Sequence, residues 1–271
     1  MRTSEVMTQQ PTNIRAVALP AEHGGWALII EPIALGLLVA PSIGGLFIGA
    51  GSLAAFLARH PLKLAVGDRR KNRILKRTSL ADRFALLYVT LAALFFTTAV
   101  TILPREFLLP LLIAGPLLFV QFLYDARGHS RKLIPELAGA LAVGSISTAI
   151  ALAGGWSRPT AFALWIIVSC RHVPTILYLR VLLGRRRQKQ RATVNGAMIV
   201  VQSLPLIAVY FLLFFKIAPA IAIVVFAILF GRALIGLFNQ TEATPKTLGI
   251  SEIAFGTFTV LMVSAGYRFG W

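Results

Sequence analysis

Residues 84–103 read FALLYVTLAALFFTTAVTIL, a run of 20 residues without a single charged side chain. About 20 apolar residues in α-helical form are needed to cross the hydrocarbon core of a bilayer. The run therefore predicts a membrane-spanning helix. Similar apolar runs, each bounded by proline, glycine or charge, recur along the chain, so the sequence predicts an all-α, multi-pass membrane protein.

The overall composition agrees with this prediction. Of 271 residues, 57% are hydrophobic and only 14% are charged, with a mean hydropathy of +0.77. Soluble domains carry about 25% charged residues, so this chain has more apolar surface than an aqueous core could bury. Cys170 is the only cysteine, which excludes an intramolecular disulfide and leaves the redox compartment open.

Nine apolar runs are candidates for membrane spans, and small residues at four-residue spacing, such as Gly139, Val143 and Ser147, predict close helix packing in several of them. The first two runs are the shortest. The spans are predicted at roughly 24–40, 43–58, 84–103, 107–124, 135–153, 160–181, 194–214, 218–238 and 250–268.

The positive charge is concentrated in three connections. Residues 59–83 carry nine Lys or Arg, 125–134 carry three and 171–191 carry seven, whereas the alternate short connections carry one each. By the positive-inside rule, the basic connections face the cytosol. The net charge of +17 is therefore attributed to topology, and a nucleic-acid partner is excluded.

The same rule orients the termini. With nine spans, the amino terminus is predicted in the cytosol and the carboxyl terminus outside. Residues 1–18 are polar and lack the apolar core of a signal peptide, so we interpret them as a cytosolic tail. Residues 19–271 are predicted to form a single nine-span helical domain.

Glu31 lies inside the first apolar run and is followed by Pro32, which predicts a kink. At 1.5 Å per residue, Glu31 would lie roughly 10 Å below the cytosolic surface. A carboxylate within a span costs on the order of 2–3 kcal/mol and is by default a functional candidate. Two interpretations stay open: Glu31 lines a water-filled cavity, or it forms a structural salt bridge with a cation such as Arg232 in the eighth span.

Two segments resemble each other, ARHPLKLAVGDRRK at 58–71 and CRHVPTILYLRVLLGRRR at 170–187. Both contain Arg-His, a proline within two residues, an apolar stretch and an arginine cluster, which suggests an internal duplication. Arg59, His60, Arg171 and His172 could together bind an anion, because guanidinium groups match phosphate and carboxylate geometry. Alternatively, each Arg-His-Pro only ends a membrane helix, and the arginine clusters contact phospholipid.

A third polar segment, YDARGHSRKLIPELAGAL at 124–141, joins two spans. Tyr124 and Asp125 close one helix, Arg131 and Lys132 cross the gap, and Glu136 lies near the start of the next, where an acid suits the helix dipole. On composition alone this is an ordinary helical hairpin. Its proximity to the other polar groups is what makes it a candidate for ligand binding.

Four quoted segments, PAEHGGWALIIEP, FLARHPLKL, YDARGHSRKLIPELAG and CRHVPTILYLRV, closely resemble the YwiC-like family of bacterial membrane proteins. The resemblance covers nearly the whole chain. It implies an integral protein of the bacterial cytoplasmic (inner) membrane but no particular reaction.

A more distant resemblance, to UbiA-type intramembrane prenyltransferases, is carried by the nine spans and the long connections after spans two, four and six. Tyr124, Arg131, Lys132 and Pro135 are similar in kind to a motif in those enzymes. That resemblance implies a UbiA-like arrangement and a divergent transferase. However, the segments that hold aspartate-rich Mg²⁺ motifs in UbiA enzymes contain Asp68 in the first and no acid between Cys170 and Arg191, so metal-assisted diphosphate ionisation is not expected.

Three functions remain open. The first is binding, with or without catalysis, of an anionic, lipid-like ligand in a basic cavity open to the cytosol. The second is small-solute or proton-coupled transport, and the third is a non-catalytic accessory subunit. The candidate catalytic residues are Glu31, His60 and His172. The candidate ligand-binding residues are His23, Trp26, Arg59, Tyr124, Asp125, Arg131, Lys132, Glu136, Arg171 and Arg180. The lipid bilayer is the predicted partner, no metal site is predicted, and the sequence specifies no cofactor or protein partner.

Overall fold

The computed structural model describes residues 14–20, 23–72, 75–188, 196–238 and 244–270. Within these ranges the chain forms ten α-helices and one short 3-10 helix at Arg105–Phe107, and no β-strand. The α-helices are α1 Ile14–Ala18, α2 His23–Val39, α3 Ile43–Arg70, α4 Lys76–Ile102, α5 Leu108–Ala126, α6 Leu133–Ala153, α7 Arg158–Gln188, α8 Gly196–Phe214, α9 Ile221–Phe238 and α10 Pro245–Phe269.

The predicted all-α, multi-pass membrane fold is confirmed. In the described part of the chain, eight helices, α3 to α10, are long and apolar enough to cross a membrane, with the 3-10 helix counted as part of the α5 span. The remaining predicted span corresponds to α2, whose apolar portion Gly25–Val39 is shorter. Every predicted apolar run therefore forms a helix.

The alternative interpretation of the two motifs as helix ends is wrong, because neither Arg-His-Pro at 59–61 nor Arg-His-Val-Pro at 171–174 ends a helix. Pro61 lies inside α3, which continues to Arg70, and Pro174 lies inside α7. A proline removes only one helical hydrogen bond, and packing beyond it offsets that loss. Beyond Pro61, Ala65 and Asp68 are buried, so most of the predicted loop 59–83 is helical.

Asp68 explains why this extension is stable. Its carboxylate accepts hydrogen bonds from Arg77 at 2.6 and 3.0 Å and from the hydroxyl of Thr78 at 2.9 Å. Both partners belong to the first turn of α4, which therefore begins at Lys76 and not near residue 84. The acid thus joins the end of α3 to the start of α4 across a short turn.

The described part of the amino-terminal tail packs against the bundle. Val17 and Ala18 of α1 are buried, and Val17 packs with Ala65 of α3 and Ala81 of α4. The hydroxyl of Tyr88 also donates to the carbonyl of Ala18 at 3.3 Å. This end of the tail is therefore attached to the helices.

Helix α6 lies at the centre of the bundle. Of its most apolar window, 72% is buried, against 17% for α4 and α5, whose Leu and Phe side chains face outward. Close approach requires small residues: an added Cβ on Gly36 of α2 would lie 2.9 Å from the Cβ of Ile150. On its other side, Gly144 lies against the indole of Trp165 of α7. Gly139, one of the small residues for which close packing was predicted, lies against the side chain of Gln121 of α5.

We call the side of the bundle where α3, α5 and α7 end, and where α4 and α6 begin, the basic end. The contacts of Asp68 with α4 hold part of it together. Arg59 of α3 bonds to Asp125 of α5, and Arg180 of α7 bonds to Glu136 of α6. The three connections predicted to share one side of the membrane are therefore next to each other.

Candidate functional site

The polar residues singled out in the sequence separate into two groups. The first, the buried ion network, is made of Glu31, Arg171, His172, Arg232 and Glu252, which come from α2, α7, α9 and α10. The second, the loop cluster, surrounds the connection between α5 and α6 at the basic end. It is made of Arg59, Lys63, Arg70, Asp125, Ser130, Arg131, Lys132, Glu136 and Arg180.

In the buried ion network, each acid has two cationic or titratable partners. The imidazole Nε2 of His172 donates to the Glu31 carboxylate at 3.1 Å. The guanidinium of Arg171 donates to the Glu252 carboxylate at 2.9 Å and lies 4.0 Å from that of Glu31. Arg232 also bonds to the Glu252 carboxylate. The network therefore links four helices through charged groups.

Arg171 and His172 reach different partners because they are neighbours on a helix. Consecutive helical residues point about 100° apart, given 3.6 residues per turn. Arg171 accordingly reaches α10, where it also donates to the backbone carbonyl of Glu252 at 3.0 Å. His172 reaches Glu31 of α2. Arg171 and His172 therefore connect α7 to two different helices, α10 and α2.

The network is enclosed by protein. The side chains of Arg171 and His172 are 4% and 3% exposed, and those of Glu31 and Glu252 are 11% and 10% exposed. The Glu31 carboxylate packs directly against the backbone of Gly256, where an added Cβ would collide with it. Charges buried to this degree are stable only when they are paired.

Arg232 has an aromatic environment in addition to its acid. Its guanidinium lies 5.1 Å from the ring centre of Tyr178 and 4.5 Å from that of Phe255, distances at which cation–π attraction operates. Of the cations that could have paired with Glu31, Arg232 is not the one that does so. Arg232 pairs with Glu252, an acid in the last span, and Glu31 pairs with His172.

Two buried polar atoms of the network have no hydrogen-bond partner, Nε of Arg171 and Nδ1 of His172. An unpaired polar atom in a buried position carries a free-energy cost, so such atoms commonly mark functional or water-binding positions. Both atoms belong to the two adjacent residues of α7 that connect it to α10 and α2.

A narrow cleft reaches the network from between α7, α8 and α9. Cys170, Arg171 and Tyr178 line it on α7, Gln202 on α8 and Arg232 on α9. Its free volume is about 20 Å³, room for roughly one water molecule. A water-sized species fits there, but a lipid does not.

The loop cluster uses the same types of pair in a more exposed place. Arg59 donates to the carboxylate of Asp125 at 2.5 and 3.1 Å, with the arginine side chain 40% exposed. From α7, Arg180 donates to the carboxylate of Glu136 at 2.9 Å and to the carbonyl of Arg131 at 2.6 Å. The two segments that resemble each other in sequence thus hold the α5–α6 connection from both sides.

Two further contacts from α3 fix the same connection. Lys63 donates to the hydroxyl of Ser130 at 2.6 Å, and Arg70 donates to the carbonyl of Ala126. Above these contacts lies an open basin of about 530 Å³. Its lining residues in the described part of the chain are Lys63, Gly128, His129, Ser130, Arg131 and Lys132, and none of these six is a carboxylate.

The four residues expected to share one anion-binding pocket are divided between the two groups. Arg59 is paired with Asp125, and the half-buried His60 donates to the carbonyl of Ala16 at 3.0 Å. Arg171 and His172 belong to the buried ion network. A single pocket formed by both Arg-His pairs and Glu31 is therefore not what the structure contains.

The remaining predicted site residues lie around these groups. The Trp26 indole donates to the carbonyl of Pro20 at 3.4 Å and makes an edge contact with Phe56, with ring centres 5.8 Å apart. Tyr124 is half-buried at the end of α5, and its carbonyl accepts from the amide of His129. The side chain of His23 and the arginine cluster from 185 onward lie outside the described residues.

Sequence reasoning left Glu252, Lys63 and Ser130 out of the candidate site. Glu252 could have been found by the criterion that selected Glu31, because it too is an acid beside a long apolar run. Lys63 and Ser130 carried no local signal, since only the continuation of α3 past Pro61 brings them together. Among the described residues, no group of three or more His, Cys, Asp or Glu side chains is placed to hold a metal ion.

Comparison with known families identifies the first part of the chain. A family model described as YwiC-like protein matches residues 19–151. Over these residues, which we call the YwiC-like region, the chain is similar to that family. The YwiC-like region contains three of the four segments that carried the resemblance, whereas CRHVPTILYLRV at 170–181 lies beyond it. The match thus covers less of the chain than the sequence segments suggested.

The YwiC-like region contains most of the loop cluster, but only Glu31 of the buried ion network. The other four members of the network belong to α7, α9 and α10. No curated protein and no solved structure matches the chain. The UbiA-like arrangement accordingly stays a prediction.

Proposed function

We propose that this YwiC-like, multi-pass membrane protein binds the anionic head group of a lipid-like ligand in the basin at its basic end. The observation that carries the proposal is the lining of the basin: Lys63, His129, Arg131 and Lys132 with no acid among them. Cations that converge without a carboxylate favour a phosphate or carboxylate ligand. A volume of about 530 Å³ suits a head group.

Within the loop cluster, some residues hold the connection between α5 and α6 in place, and others bind the ligand. Arg59 and Arg180 already hold the acids Asp125 and Glu136, and they fix the connection from which Arg131 and Lys132 project. We therefore assign Arg59 and Arg180 as positioning residues. Lys63, Arg131 and Lys132 are the groups that meet the ligand. This assignment moves the ligand site from the interior, where the cleft has room only for water, to the surface of the bundle.

We further propose that the basic end faces the cytosol of a bacterium, as the positive-inside rule predicts. Cys170 is the only cysteine, so orientation can be tested in a Cys170→Ser background. Arg127→Cys at the basic end should react with an impermeant maleimide only after the membrane is opened. Ser157→Cys, in the exposed connection between α6 and α7, should react in intact cells. The reverse pattern would contradict the orientation.

Ligand binding is tested with dodecyl phosphate added to the protein in a non-ionic detergent. We expect Lys132→Ala to weaken binding by about tenfold, since a hydrogen bond to a charged group contributes roughly 1.5–3 kcal/mol. Arg105→Ala removes the same charge from an exposed site at the opposite end and should leave binding unchanged. Dodecylphosphocholine, whose head group is zwitterionic, should compete poorly.

Inorganic phosphate distinguishes a lipid head group from a free anion. Equal affinity for inorganic phosphate and dodecyl phosphate would indicate a free-anion site, and preference for dodecyl phosphate supports the lipid-like ligand. If wild-type protein binds neither, or if folded Lys63→Ala/Lys132→Ala protein binds as well as wild type, the proposal is wrong. An accessory role would then be the better interpretation.

A further inference from the structure

The buried ion network has no part in the basin, yet it places five ionisable side chains inside the bundle. With His172 neutral, the network contains two carboxylates and two guanidinium groups, so its charges cancel. Buried charge within a membrane is costly unless it is balanced. The neutral network is therefore a stable resting state, and one added proton creates a single positive charge.

The position of that proton follows from the chemistry of the five groups. The arginines stay protonated, and the Glu252 carboxylate is held by both Arg171 and Arg232. Glu31 is held mainly by His172, the one partner in the network that can gain or lose a proton near neutral pH. The Glu31–His172 pair is thus where the protonation state can change.

The geometry assigns the atom that receives the proton. A carboxylate only accepts hydrogen bonds, so His172 carries hydrogen on Nε2, which donates to Glu31. The opposite ring nitrogen, Nδ1, is buried and has no partner. A proton delivered by water forms an N–H bond at Nδ1 while the Nε2–H bond stays intact, and the ring becomes an imidazolium.

Arg171 is placed to respond to this change. It lies 2.9 Å from the Glu252 carboxylate and 4.0 Å from that of Glu31, within reach of both acids. When His172 is neutral, Glu31 attracts Arg171 as the nearest full positive charge. When His172 is an imidazolium, Glu31 is neutralised and Arg171 is repelled, which favours its bond to Glu252.

The surroundings isolate the pair from other titrating groups. Helices α3 and α6 also pack against α2, but their residues 43–58 and 137–153 contain no titratable side chain. Three charged groups of α7, α9 and α10 are connected to the pair. Arg171 lies beside Glu31, Glu252 bonds to Arg171, and Arg232 bonds to Glu252. The cleft beside Arg171 admits a species of the size of water and ends at Arg171 and Arg232, next to the pair.

We propose that Glu31 and His172 form an intramembrane proton-binding site, separate from the ligand basin, with Nδ1 of His172 as the acceptor. The proton is the ligand of this second site. Because its loading redistributes Arg171 between acids on α2 and α10, proton binding is linked to the contacts among α2, α7 and α10. This linkage is what a proton-coupled membrane protein requires.

The test is solid-state NMR of ¹⁵N-histidine-labelled protein in lipid bilayers, with no ligand for the basin present. His172→Gln identifies the His172 signals and keeps a nitrogen donor near the position of Nε2. We expect wild-type Nδ1 to change from unprotonated to protonated as the pH is lowered across the range in which the protein stays folded. An Nδ1 that keeps one state throughout overturns the proposal.

Two variants test whether the protonation of His172 depends specifically on Glu31. Glu31→Gln removes the acceptor charge and must change the pH at which the His172 signal changes. Glu136→Gln removes an acid from the loop cluster and must leave it unchanged. If Glu31→Gln protein, folded by its thermal unfolding profile, titrates as wild type does, Glu31 is not part of the site. Should Glu31→Gln not fold, the wild-type titration still decides whether Nδ1 binds a proton.

Discussion

The buried ion network and the loop cluster use the same arginine–carboxylate chemistry in different environments. Arg171 and Glu252 are 4% and 10% exposed, whereas Arg180 and Glu136 are 38% and 37% exposed. In the interior, each charge depends on its partners because no water can replace them. At the basic end, water screens the same attraction, so these pairs can position a loop.

The largest effect is expected from Glu252→Gln. This substitution leaves Arg171 and Arg232 as poorly compensated buried cations, a change that costs about 3–5 kcal/mol in comparable cases. Unfolding in mixed detergent micelles measures it. The double variant Glu252→Gln/Arg232→Gln restores the charge balance and should be more stable than Glu252→Gln alone. A double variant that is less stable would show that charge balance does not govern the network.

Gly256→Ala is expected to have the next largest effect, because the new Cβ would collide with the Glu31 carboxylate. Forcing an atom into a packed site costs roughly 1–3 kcal/mol, and the displaced carboxylate should also disturb the His172 ring signal. Gly249→Ala is the matched control on α10, since nothing lies within 4 Å of its added Cβ. Equal effects of the two substitutions would contradict the packing of Glu31 on Gly256.

Asp125→Asn tests the loop cluster directly. The Asp125 side chain is 8% exposed but that of Arg59 is 40% exposed, so we expect a loss of about 1 kcal/mol after solvent screening. The loss should shrink as salt is added, because exposed charges are screened. The loss of stability caused by Glu252→Gln should not shrink as salt is added. A salt-independent Asp125→Asn effect would remove the distinction between the two regions.

The smallest effect is expected from Glu106→Gln at the end opposite the basic end. The Arg158–Glu106 pair is 61% and 53% exposed, with its charged atoms 3.0 Å apart. Exposed ion pairs contribute about 0–1 kcal/mol, so the unfolding free energy should change by less than in any other variant. A larger loss than that caused by Asp125→Asn would reverse the order set by burial.

Some of the site was predictable from the residues and some was not. Glu31 was identified because an acid in an apolar run is conspicuous, and Arg171 and His172 because their segment resembles another one. Their partners were not identified, since sequence spacing does not say which faces of separate helices meet. The pairing of Glu31 with Arg232 was wrong for that reason: Glu252, on a third helix, lies closer to Arg232.

The helix ends show the same division. One of the two interpretations left open for Arg-His-Pro was a stop signal, because proline and basic residues are common at the ends of membrane helices. The burial of Ala65 and the bonds of Asp68 to Arg77 and Thr78 outweigh that local signal. They are contacts between helices, which local propensity does not encode.

The sequence by itself determined that the protein lies in a membrane and is helical. It also determined where the apolar spans lie and that positive charge accumulates in alternate connections. Those properties depend on composition and local spacing, and a bilayer imposes them on any chain with such runs. Only the tertiary structure decided that the charged residues form two separate groups, one buried among the helices and one exposed to water. The reason is that ion pairing depends on distances of 3–4 Å between side chains, and packing between helices alone sets those distances.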